Sequence, residues 1–146
     1  MENDDVDAVV GIEQICFSDP WSKKMVSDLL ESSWDEVWIL EENEKGTVGY
    51  INFRFLAGEG ELMRIAVLPG MRGQGLSRKL MDQMMESASK YAVADITLEV
   101  RAGNEPAIGL YQSYGFVGEA VRKGYYHNPT EDALIMWVHG LPSIPS

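Results

Sequence analysis

Arg72-Gly73-Gln74-Gly75-Leu76-Ser77 lies between two runs of opposite character. Ahead of it stands Glu61-Leu-Met-Arg-Ile-Ala-Val-Leu68, an apolar, strand-like stretch closed by Pro69-Gly70. Behind it, Ser77 to Lys90 contains neither Gly nor Pro and places Leu80, Met81, Met84, Met85 and Ala88 at helical spacing, which predicts a helix over 75–90. A strand, a glycine turn and a helix start together make an anion-binding device. The first N–H groups of a helix lack internal partners, and the helix dipole favours negative charge beside them. Glycine lets the backbone approach a phosphate with no Cβ in the way.

Exclusion narrows the ligand. A Walker A loop needs Lys and then Ser or Thr after its last glycine, and here Leu76 follows Gly75. The dinucleotide fingerprint needs a third glycine where Arg78 stands. The spacing Arg/Gln-x-x-Gly-x-Gly/Ala does fit, and it resembles the acetyl-CoA pyrophosphate loop of the GNAT acetyltransferase superfamily. Ser77 departs from that pattern, which favours Gly or Ala there.

Length and composition bound the rest. At 146 residues and 45% apolar content, a single domain spanning 1–146 is expected. No apolar run approaches the roughly 20 residues of a membrane span, so no membrane partner is expected. The acidic start Met1-Glu-Asn-Asp-Asp-Val-Asp7 does not read as a signal peptide. Cys16 is the only cysteine, which fits a reducing, cytoplasmic setting; it and the eight methionines read as core filling. His127 and His139 lack metal-ligand spacing, so no metal is expected.

A formal charge of −11 argues against nucleic acid as a partner. The cations Arg64, Arg72, Arg78, Lys79, Lys90 and Arg101 cluster in or near the glycine-loop segment, while the acidic excess lies at 2–7, 28–44 and 131–132. A cationic second substrate fits that division, and so does ordinary solubilising acidity.

The order of elements reads α/β. Asp7 to Cys16 is a short helix with Val9, Val10, Ile12 and Ile15 as its apolar side. Phe17-Ser-Asp-Pro-Trp21 breaks it, and Ser22 can cap a second helix to about Ser32. Val37–Leu40 and Val48–Phe55 read as strands joined by a polar turn, followed by strand 61–68, helix 75–90 and strand Ile96–Val100. Helix Glu105–Tyr114 and strands near Phe116–Val121 and Ala133–Val138 complete the chain. The expected sheet is mixed and mostly antiparallel, with a central parallel pair made by a right-handed crossover.

Leu98-Glu-Val-Arg-Ala-Gly-Asn-Glu-Pro-Ala-Ile-Gly-Leu-Tyr-Gln-Ser-Tyr-Gly-Phe116 is more specific than the loop. It is similar to the RimI-type enzymes of the GNAT superfamily, which acetylate the N-terminal alanine of small-subunit ribosomal protein eighteen. Phe17-Ser-Asp-Pro-Trp-Ser22, Arg122-Lys-Gly-Tyr-Tyr126 and Glu131-Asp-Ala-Leu-Ile-Met136 resemble the same group, so the likeness spans about Asp7 to Met136. It implies the GNAT acyl-CoA N-acyltransferase fold, with helices on both faces of the sheet. That fold normally opens with a strand, yet only about five polar residues precede Asp7. Either the chain is short at its N-terminus or an edge strand is missing.

The resemblance also implies roles. Acetyl-CoA would be the co-substrate, and the N-terminus of a basic, ribosomal protein the acceptor. Ile65, Ala66 and Val67 would offer strand backbone groups to the pantetheine arm. Arg72, Gly73, Gln74, Gly75, Leu76, Ser77 and Arg78 would wrap the pyrophosphate, and Asn104 would hydrogen-bond the arm. Glu99 would be the general base and Tyr111 the general acid, while Phe17, Trp21, Tyr125 and Tyr126 would line a peptide groove. The base would remove one proton from an α-amine of pKa near roughly 8. That task asks for burial to raise the carboxylate's pKa. Attack would be direct, with no acyl-enzyme.

Simpler readings stand beside these. Glu99 shares a strand face with Thr97, opposite Ile96, Leu98 and Val100, so it can be surface polarity alone. Tyr111 can be helix packing, and Asn104 a helix cap. A GNAT enzyme for lysine, polyamine or another small amine, or a non-catalytic CoA-binding module, would share most of these motifs.

Overall fold

The computed structural model describes residues 1–142. Its helices are α1 (Val6–Cys16), α2 (Lys23–Asp28), α3 (Leu76–Lys90) and α4 (Glu105–Ser113). Its strands are β1 (Asp35–Glu42), β2 (Gly46–Leu56), β3 (Glu59–Val67), β4 (Asp95–Arg101), β5 (Val117–Tyr126) and β6 (Glu131–Val138). Among the described residues these six strands follow the order β1-β2-β3-β4-β6-β5. The β3–β4 pair is parallel and runs from Glu59↔Asp95 to Leu62↔Leu98. The β1–β2, β4–β6 and β5–β6 pairs are antiparallel, so the mixed sheet with one inner parallel pair is as expected. Most strands outrun their expected bounds, β5 most of all at its far end, whereas β3 stops at Val67 and α2 at Asp28 instead of near Ser32. No strand precedes α1 among the described residues; a 3-10 turn at Asn3–Asp5 leads into it. No described helix is long and apolar enough to cross a membrane.

The chain divides into two compact units, one of Met1–Arg54 with Met63–Glu86, the other of Phe55–Leu62 with the residues from Ser87 onward. In the first, Val6, Val9, Ile12, Val26, Tyr50 and Ala66 form the buried cluster. Ser22 caps α2 by accepting from the Met25 N–H at 3.2 Å, as its hydroxyl at that position dictates. The buried face of α1 contains Val9 and Ile12 as its sequence suggests, but Ile15 points outward at 62% exposure whereas Glu13 is buried.

In the second unit β4 alternates cleanly. Ile96, Leu98 and Val100 are buried, and Thr97 and Glu99 lie on the half-exposed opposite face. Phe116, Ala133 and Met136 complete that core. His139 bridges two carboxylates, Nδ1 to Asp95 at 3.0 Å and Nε2 to Glu119 at 2.8 Å. Those bonds hold its pKa above the usual imidazole value, the Glu119 bond foremost.

Candidate active site

The glycine loop belongs to the first unit. A 3-10 turn at Pro69–Met71 delivers the chain to Arg72–Gly75, all exposed, and Leu76 then buries itself as the anchor of α3. Lys79 N–H to the Gly75 carbonyl, 3.3 Å, closes the first helical turn. Gly73 and Gly75 adopt φ of 81° and 75°, in the left-handed region that glycine alone enters without penalty. A Cβ on either would meet no atom within 4 Å. Open space lies over a backbone curled ahead of a helix N-terminus, which suits an anionic ligand. A valine at 75 meets a conformational penalty rather than a collision, so the loop itself must shift. We expect Gly75→Val to weaken acetyl-CoA binding about tenfold or more, the loss that a strain near 1.4 kcal/mol implies. Calorimetry showing wild-type affinity in the folded variant would remove the loop from the cofactor site.

Arg72 does not extend toward this opening. Its Nε donates to the Val67 carbonyl at 3.1 Å, and Nη2 lies 3.9 Å from Cys16 Sγ. Cys16 Sγ is itself 3.6 Å from the Val67 carbonyl. That carbonyl is therefore engaged within the protein. The Ala66 carbonyl is also close-packed, since a Cβ on Gly49 would lie 2.8 Å from it. Burial pushes the Cys16 thiol up against the opposing pull of Arg72, so it stays protonated and offers no thiolate nucleophile.

Phe17 and Trp21 belong to the same unit and share one partner. The Arg64 guanidinium lies 3.9 Å from the centroid of the Phe17 ring and 4.7 Å from that of Trp21. Its Nη2 donates to Glu13 Oε1 at 3.1 Å and to the Asp19 carbonyl at 3.0 Å. Glu13 also accepts from the Trp21 N–H at 2.7 Å and from the Tyr50 hydroxyl. Burial first, and then the Glu13 charge, pushes the Tyr50 phenol well above its usual value.

The second unit carries the titratable groups. Glu99 Oε1 stands 3.6 Å from Arg122 Nη1, and the Tyr125 hydroxyl hydrogen-bonds to Glu99, which is the main cause of that phenol's raised pKa. The deep burial that the base role asked for is absent. The Glu99 side chain is 26% exposed and has a guanidinium beside it. Tyr111, by contrast, is buried on α4 and meets Phe116 edge-on at 6.2 Å. Burial pushes its phenol well above the ordinary value of 10.0, with Tyr126 adding to the effect. It therefore holds its proton across any ordinary assay pH.

Asn104 caps α4, its Oδ1 accepting from the Ala107 N–H at 3.3 Å. The amide NH2 remains the group that could donate to an arm. Tyr125 and Tyr126 meet edge-on at 5.1 Å. Arg101 lies 4.6 Å from the Tyr126 ring centroid and donates to the carbonyls of His127 at 2.8 Å and Pro129 at 2.9 Å. The turn between β5 and β6 is thereby tied to the end of β4. The structure thus brings Glu99, Arg122, Tyr125 and Tyr126 into one group, with Tyr111 within electrostatic reach of Tyr126.

Residues 6–116 match the Acetyltransferase (GNAT) family. The ribosomal protein bS18-alanine N-acetyltransferase of Escherichia coli (strain K12) is 37% identical over 143 residues, covering 93% of this chain and 92% of its own length. The enzyme of the same name from Salmonella typhimurium is 32% identical over 136 residues, 90% of this chain and 89% of its own. The crystal structure of the Escherichia coli ribosomal-protein-S18-alanine N-acetyltransferase matches with a TM-score of 0.88 at 33% identity, over 100% of this chain and 93% of that one. The chain belongs to the GNAT acetyltransferase family.

As a GNAT protein it is an acetyl-CoA-dependent N-acetyltransferase. Its cations divide differently from their places in the sequence. Of the six grouped near the loop, Arg64 pairs with buried Glu13, Arg101 pins the β5–β6 turn, and Arg72 braces Val67. Sequence reasoning missed Glu13, Arg64 and Arg122 as organising residues of this GNAT domain. A lone Glu on the apolar side of α1, between Ile12 and Cys16, was the available signal for the first of them, because a charge there requires a buried partner.

Proposed function

We propose that this chain, as one catalytic domain over 1–146 working in the cytoplasm, acetylates the N-terminal alanine of ribosomal protein bS18. The carrying observation is 37% identity, across 93% of the chain, with the Escherichia coli enzyme named for that reaction. The matched length includes both proton-transfer candidates and the glycine loop.

Acetyl-CoA supplies an activated thioester. In this reading the loop Arg72–Arg78, through its backbone and the start of α3, holds its pyrophosphate, the backbone of Ile65, Ala66 and Val67 flanks the arm, and the Asn104 amide donates to it. Glu99 takes a proton from the acceptor's ammonium, directly or through water, and frees the nitrogen lone pair to attack the acetyl carbonyl carbon. The C–S bond breaks, its electron pair leaves on sulfur, and the Tyr111 hydroxyl donates there, while the second nitrogen proton leaves the adduct and, passed through water, restores that hydroxyl as Glu99 returns its own proton to solvent. The products are an N-acetylated peptide and CoA thiol, with no acyl-enzyme between them. Arg122 matters to this sequence because it holds a cation against Glu99, where an acceptor ammonium has to come. The Tyr125 hydroxyl keeps the carboxylate oriented meanwhile.

Peptides that differ only at residue one test the acceptor, alongside a peptide with its α-amine blocked and an internal lysine free. Alanine at residue one should give the highest kcat/KM, and the blocked peptide should show none above background. With a net charge of −11, activity on Arg- and Lys-rich peptides should fall as salt rises. Faster acetylation of the blocked peptide would make the enzyme a lysine acetyltransferase instead.

A further inference from the structure

We propose that Arg64 is a positioning residue for the acceptor, the clamp that holds Phe17–Trp21 in its working shape. The proposal rests on the N-acetyltransferase reading and adds a residue to it. The segment between α1 and α2 has no secondary structure of its own. It contains Pro20, which lacks an N–H, and Ser18, Asp19 and Pro20 are exposed. Such a loop opens locally at low cost unless something outside it supplies bonds.

Arg64 supplies them from one side chain. Its planar guanidinium stacks near two rings, Phe17 and Trp21, and its Nη2 reaches the Asp19 carbonyl at 3.0 Å. Both ends and the middle of the segment thus meet a single group. Glu13 holds that group in place at 3.1 Å, and its carboxylate takes the Trp21 N–H as well. The Glu13 side chain is fully buried and that of Arg64 is 19% exposed, so water screens the pair little. Arg64 Nε is buried with no hydrogen-bond partner.

Stacking and the fork geometry belong to arginine and not to lysine, so Arg64→Lys keeps the charge and removes the clamp. We expect its acceptor KM to rise about tenfold, because only the ordered fraction of the loop binds. The kcat and the acetyl-CoA dissociation constant should stay within about twofold. Amide hydrogen exchange at 17–21 should accelerate by a similar factor, with exchange in β2 unchanged. Phe17→Leu, which leaves the Glu13–Arg64 pair intact, should reproduce a smaller part of the KM effect and serves if Arg64→Lys does not fold. An unchanged KM with a loosened loop would overturn the positioning role, as would unchanged exchange at 17–21. Absence of wild-type turnover on every free-amine peptide would overturn the N-terminal acceptor reading and this proposal with it, and it is recognised in the wild-type arm before any variant is compared.

Discussion

Tyr111→Phe should lower kcat by roughly 10²-fold or more, the usual worth of a positioned general acid, while leaving acetyl-CoA affinity near wild type. The ring stays in its pocket against Phe116, so the change removes one hydroxyl from a packed site rather than opening a cavity. The sign of the pH effect follows from the raised phenol pKa. An acid whose pKa is raised keeps its proton to higher pH, so the wild-type rate should show no alkaline fall near 10 from this group. Glu99→Gln complements it. The amide cannot accept the ammonium's proton, so the loss should be largest below about pH 8, where the α-amine is mostly protonated. It should shrink above that, where the free amine forms unaided. A pH–rate profile of Glu99→Gln parallel to wild type would assign the base to another group or to bulk water. Full activity in Tyr111→Phe would leave that tyrosine as packing alone.

Glu13→Ala should strongly destabilise the first unit. It strands the Arg64 guanidinium, the Tyr50 hydroxyl and the Trp21 N–H together. Breaking a buried ion pair from one side costs about 3–5 kcal/mol, against a total stability of roughly 5–15 kcal/mol for a typical domain. At this chain length that corresponds to a Tm lower by about 10 °C or more. Glu13→Gln should cost less, because an amide oxygen in the place of Oε1 still accepts from the Trp21 N–H and Arg64 Nη2. Glu13→Met combined with Arg64→Met should recover part of the loss, since an apolar pair of similar volume leaves no charge uncompensated. Thermal and urea unfolding of the three variants checks the order. A Glu13→Ala protein within about 0.5 kcal/mol of wild type, the range of ordinary surface substitutions, would mean that the network carries no net stability.

The sequence by itself determined the order of elements, the mixed sheet with its parallel pair, the glycine loop ahead of α3 and the alternating faces of β4. The parallel pair follows from the crossover rule, and the others are set by neighbours in the chain. Helical spacing of Leu80, Met81, Met84 and Ala88, alternation through Ile96 to Val100, and a Ser or Asn at a helix start all act over a few residues. The tertiary structure alone decided the partners of charges. Periodicity put Ile15 inside and left Glu13 unremarked, and the fold reverses them. A buried carboxylate is stable only where Arg64, 51 residues away in sequence, and Tyr50, 37 away, converge on it. Arg101 and Arg72 looked like cofactor cations because they stand near the loop in sequence. Within the fold, carbonyls at 127, 129 and 67 engage them. Glu99 was placed on the correct strand face, but not beside Arg122. That pairing depends on β6 lying between β4 and β5, and strand order across a sheet is a long-range outcome that no local pattern encodes.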